Sequence, residues 1–124
     1  SDYNFLKYWM SRTSIEDNKS TIVNRDKYWD SYSKFFIYGD KKGEMNDNIR
    51  ISNKVGMAYG TLTDVAYVRD KINNIEFMLT ATILVNDNHT FNDDIYEYES
   101  KGIPFLSALG RQVLKLERNK LTFD

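Results

Sequence analysis

The chain has 124 residues, of which 41% are apolar, 28% charged and 15% aromatic, the balance of one ordinary globular domain with a modest core. Its 17 basic and 18 acidic residues leave a net charge of −1, so the electrostatic footprint of a nucleic-acid or anionic-membrane binder is absent. It has no cysteine, which excludes disulfides and thiol catalysis, and no apolar run nears the roughly 20 residues that span a bilayer.

In chain order, Phe5, Leu6, Trp9 and Met10 follow Asp2 at helical spacing and predict a short amphipathic helix over residues 3–12, with its apolar face packed. Residues 11–24 are polar and mixed, with Thr13-Ser14-Ile15-Glu16 as a cap pattern and Asp17-Asn18-Lys19-Ser20 as an exposed loop. Tyr28, Trp29, Tyr32, Phe35 and Phe36 then recur at intervals of three and four, which predicts a second helix over 26–38 with an aromatic core face, ended by Gly39. Residues 40–48 carry turn chemistry.

Ile49 and Ile51 alternate with polar neighbours as a half-buried strand requires, and strands are predicted over 49–58, 63–70 and 75–85. Tyr59-Gly60 and the polar Asp70–Asn74 segment join them as an antiparallel meander. An acidic loop over 86–102 leads to Pro104, at home in the first turn of a helix. Phe105, Leu106, Leu109, Val113 and Leu116 form its apolar stripe, and Phe105, Leu109, Val113 and Leu116 are expected to pack on Val65, Tyr67, Leu79 and Ile83. The fold class is therefore α+β, one domain of N-terminal helices, a three-stranded antiparallel meander and a C-terminal helix packed on the sheet.

For chemistry, Lys54-Val55-Gly56 stands out, a lysine on a patterned strand followed at once by a residue pair ending in glycine. His89 is the lone histidine and has no serine or cysteine beside it, so a histidine triad or a multi-histidine metal site is set aside. Asp87, Asn88, Asp93 and Asp94 lack the spacing of a calcium loop and read as solvated, and no cofactor is indicated. Two readings stay open: part of an enzyme cleft, or a noncatalytic binding or assembly module that meets a partner through its aromatic helix face and sheet edge.

The run from Asn53 to Val68, with a Lys-x-Gly strand, a short turn and the Asp64-Val65-Ala66-Tyr67-Val68 strand, resembles the third conserved element of the β-lactamase-like (penicillin-recognising) serine hydrolases. With the Glu76–Val85 strand and the closing helix the resemblance covers most of residues 49–118, the C-terminal part of such a domain. It implies that Lys54 binds an anionic small-molecule substrate and shapes proton transfer, that the Met57 N–H is an oxyanion-hole donor, and that Val55 and Gly56 line the substrate. Val55 departs from the family's threonine or serine and offers no hydrogen bond to a substrate carboxylate. The family's Ser-x-x-Lys nucleophile is expected in an upstream part of a longer protein, periplasmic or secreted, leaving this chain without hydrolase activity of its own. The 75–85 strand, normally paired on its outer side, is expected to be an open edge through which the chain forms a homo-oligomer.

Overall fold

The structure, a computed structural model, describes residues 1–14, 16 and 26–120. Helix α1 (Asp2–Ser11) precedes a looped aromatic segment that ends in one turn, α2 (Phe35–Tyr38). Three strands follow, β1 (Ile49–Ala58), β2 (Thr61–Asp70) and β3 (Ile75–Leu84), then a π-helical turn at Tyr98–Gly102 and the long helix α3 (Ile103–Lys120). The strands form one antiparallel sheet in the order β1-β2-β3, so the expected α+β meander with a C-terminal helix packed on it is the observed fold. The Asp17–Ser20 loop and Ile15 of the expected cap lie outside the described residues.

Each strand boundary has a local cause. Ala58 pairs with Thr61, which leaves Tyr59 and Gly60 as a two-residue loop. Both have positive φ, 50° and 86°, as a hairpin turn matched to the strand twist requires. At the other hairpin, Asp70 is buried and its carboxylate accepts from the Ile72 and Asn73 N–H groups, from Asn73 Nδ2 and from Arg118 Nε. Burial alone would raise its pKa, but the Asn73 and Arg118 hydrogen bonds outweigh that and hold it below the ordinary carboxylate value.

The core lies between the sheet and α2–α3. Ile49 and Ile51 of β1, Leu62, Ala66 and Val68 of β2, and Phe35, Phe36, Ile37, Leu106 and Leu114 fill it. Leu79 and Ile83 of β3 face it, as expected, but the helix stripe is rotated. Leu106, Ser107, Gly110 and Leu114 are the buried residues of α3, whereas Phe105 is 47% and Leu116 61% exposed. The reason is β2, whose inward positions are even-numbered; Val65 and Tyr67 lie on the opposite face, out of reach of α3.

The predicted helix over 26–38 is likewise corrected. Only Phe35–Tyr38 carries helical hydrogen bonding, and Phe36 (ψ 138°) and Ile37 (φ 71°) leave helical geometry even there. The backbone of this segment is claimed by distant side chains. Phe36 N donates to Asp64 Oδ2 at 3.3 Å, Ser107 Oγ donates to Phe35 O at 2.7 Å, and Arg111 Nη1 donates to Ile37 O at 2.8 Å. These bonds compete with i→i−4 bonding, and the left-handed Ile37, costly for a β-branched residue, persists because three elements hold it. The expected aromatic face is thus partly realised: Phe35 and Phe36 are core, while Tyr32 is exposed.

Helix α1 forms where predicted, yet none of its residues is buried. It lies against the outward sheet face, where Tyr3, Lys7 and Met10 border a cavity of about 370 Å³ with Val65, Tyr67 and Met78. Tyr3, Phe5, Leu6, Tyr8 and Trp9 stay at least half exposed, so the expected packing of this face is not found.

Close approach of α3 to the 35–37 segment depends on Gly110. A Cβ there would sit 2.7 Å from Ile37 N and 2.9 Å from Phe36 Cβ. Gly110→Ala should therefore destabilise the fold by about 1–3 kcal/mol through overpacking, read as a lower midpoint in urea, whereas Gly56→Ala, with nothing within 4 Å of the added Cβ, should leave the midpoint nearly unchanged.

Candidate functional site

Strand β1 is a sheet edge, and alternation along it distributes the sequence-predicted site residues over two faces. Lys54 is exposed on the outward face opposite Val65, and its Nζ donates to Val55 O at 2.7 Å. It borders a cavity of about 250 Å³ together with Trp9, Arg12, Ser33 and Lys34. Val55, half-buried and opposite Asp64, and Met57, opposite Leu62 and 50% exposed, point the other way. They border a second, more apolar cavity of about 480 Å³ with Trp29, Tyr32, Lys42 and Glu99. Gly56 between them is open, with no atom within 4 Å of where a Cβ would stand. The structure thus brings Met57 to one cavity and Lys54 to another across the same edge, with Val55 lining both.

Beneath this edge lies a buried polar network that the sequence reading did not find. Lys34 is 3% exposed, and its Nζ donates to Asn53 Oδ1 and to Met10 O, each at 2.8 Å. Asn53 Nδ2 in turn donates to the Asp64 carboxylate at 3.0 and 3.2 Å and to Ser33 O at 2.7 Å. Asp64 is fully buried on β2. Desolvation takes the Lys34 ammonium down from 10.5 to about 8, against the opposing pull of Asp64. Burial likewise raises the Asp64 carboxyl, a shift that the Asn53 and Phe36 hydrogen bonds limit. One signal for the network was in the sequence, since Asp64 breaks the inward apolar alternation of Leu62, Ala66 and Val68 along its strand.

The expected absence of a Ser-x-x-Lys from the chain is corrected by Ser31-Tyr32-Ser33-Lys34, which has that spacing. Ser31 is 1% exposed and its Oγ donates to Lys41 O at 2.7 Å, while the Lys34 ammonium is committed to Asn53 and Met10. The pair supplies a structural hydroxyl and a structural ammonium: Ser31 lines neither cavity at this edge, and two of the three Lys34 donors hold Asn53 and Met10. In the acidic loop, Asp87 pairs with Lys101, Asp93 accepts from Asn88 Nδ2 at 2.7 Å, and His89 is exposed. Among the described residues no group of acidic or histidine side chains converges on a metal position, and no helix is long and apolar enough to cross a membrane.

Comparison of the chain with models of known families, with curated proteins and with solved structures finds no match.

The depressed Lys34 value makes a signed prediction. Between about 8 and 10.5 the unfolded chain holds a proton on Lys34 that the folded chain has lost, so this residue's contribution to stability rises with pH across that window. Below it both states are protonated and the burial penalty is constant. The wild type should gain about 3 kcal/mol from this source between those limits, and Lys34→Met should flatten the slope of unfolding free energy against pH over the same range.

Proposed function

We propose that the chain is the C-terminal part of a β-lactamase-like serine hydrolase, forming one wall of an acyl-transfer cleft in a longer protein. The observation that carries this reading is the position of Lys54-Val55-Gly56-Met57 on the β1 edge of the sheet, with Val55 and Met57 beside a largely apolar cavity and with an antiparallel hairpin and the packed C-terminal helix following in order. A substrate lying along β1 would meet the bare backbone at Gly56, where a side chain would otherwise obstruct it. Lys54, exposed on this edge, would supply positive charge to an anionic group, and the Met57 N–H would serve as one fixed donor toward a developing oxyanion. The nucleophile comes from outside this chain, because Ser31 is buried and hydrogen-bonded away from both cavities. Such a protein would act in the periplasm or outside the cell.

A second reading, a noncatalytic binding or assembly module, is favoured by α1, whose Tyr3, Phe5 and Trp9 stand in solvent where a partner could cover them.

Nitrocefin and ester hydrolysis separate the two. The chain alone should show no turnover, and a longer protein containing it should be active and lose about 100-fold in kcat/KM on Lys54→Ala. A longer protein that is inactive, or whose activity is indifferent to Lys54→Ala, would leave the binding module as the function.

A further inference from the structure

The sheet has a second edge, at β3, and the two edges differ. Along β1, α1 packs against the strand, Ser33 O is tied to Asn53, and Arg50 and Lys54 supply charge. Along β3, alternate residues direct N–H and C=O groups away from β2, and among the described residues no strand pairs with them and no side chain hydrogen-bonds to them. The strand runs for ten residues, has no proline, and carries one charge, Glu76, already paired with Arg69 at 3.1 Å. Beyond that one charge, none of the usual protections of an edge is present among the described residues. On the core side Phe77, Leu79, Ala81 and Ile83 remain only half-buried.

We propose that β3 pairs with β3 of a second copy of this chain, antiparallel and about a two-fold axis, to make a continuous six-stranded sheet. The strand is complementary to itself. With Thr80 opposite Thr80 of the copy, Leu79 faces Ala81, Phe77 faces Ile83, Met78 faces Thr82 and Glu76 faces Leu84. The half-buried apolar residues of both copies then share one face, with α3 of each copy on that same side, and the exposed threonines and Met78 share the other. The lone carboxylate meets an apolar residue, so the pairing opposes no like charges. A strand of a different sequence would have to reproduce this alternation by chance, whereas a second copy supplies it by symmetry. The proposal stands on the strand's own complementarity and competes with the hydrolase reading, in which a strand from elsewhere in the longer protein would take this edge.

Sedimentation equilibrium at micromolar concentration tests it, with a mass twice the 14.6 kDa of the chain as the expected result. Thr80→Lys with Thr82→Lys, both at exposed outward positions, should shift the protein to monomer with unchanged circular dichroism. Because the chain has no cysteine, Thr80→Cys gives a single thiol. Cα atoms directly opposite lie about 4.5–5.5 Å apart, within disulfide range, so this variant should oxidise to a covalent dimer, and Ile72→Cys, exposed but off the edge, should not. A wild type that stays monomeric, a dimer that survives the lysine pair, or failure of Thr80→Cys to cross-link would each overturn the proposal.

Discussion

The β1 edge that carries Lys54 to Met57 rests on one buried polar chain, Lys34 to Asn53 to Asp64. It joins the segment before α2 to β1 and β2, and through Met10 O it reaches the C-terminal end of α1, where an ammonium also suits the helix dipole. Burying an ammonium and a carboxylate is expensive unless their hydrogen bonds are made. Asn53 makes them: its amide accepts from the lysine and donates to the aspartate, so the two charges are satisfied without touching. Breaking the bridge would strand both charges in the core, which is why the network specifies one arrangement of these four segments and disfavours any near neighbour.

That constraint extends to the edge above it. Side chains alternate along β1, so fixing Asn53 inward fixes Lys54 outward and Val55 inward again. A slip of one residue would bury Lys54 and expose Asn53, losing every bond of the network at once. The register that presents Lys54, Gly56 and Met57 at the edge is therefore set from below. On the far side of the same layer, Asp64 also accepts from Phe36 N and Gly110 admits the 36–37 backbone, so the position of α3 is tied to the same aspartate.

What could be read from the sequence was whatever alternation or turn chemistry determines locally. The three strands, the Tyr59-Gly60 hairpin and the polar turn after Asp70 appear within two residues of expectation because period-two patterning and positive-φ turn residues act over a few positions. The aromatic run over 26–38 has helical spacing, yet its backbone partners are Asp64, Ser107 and Arg111, between 28 and 74 residues away, which no local pattern can register. The α3 stripe was misjudged by about one position because Ser107 and Gly110, neither of them apolar markers, occupy the inward face. Helix α1 shows the converse: its amphipathic pattern is real, but the described chain supplies nothing large enough to cover it. At the site, Lys54, Val55, Gly56 and Met57 were legible as a motif, and the lysine that the core actually encloses, Lys34, was hidden among aromatics.

The central claim is that Lys34 is an ammonium enclosed in the core and bridged to Asp64 by Asn53. The titration of its ε-amino group, followed by NMR of isotope-labelled lysine and assigned with Lys34→Met, tests this most directly. A midpoint near 8 is expected, well separated from the exposed lysines. A midpoint at the ordinary value of 10.5, unchanged by Asn53→Ala, would show that Lys34 is solvated and that the network does not organise the fold.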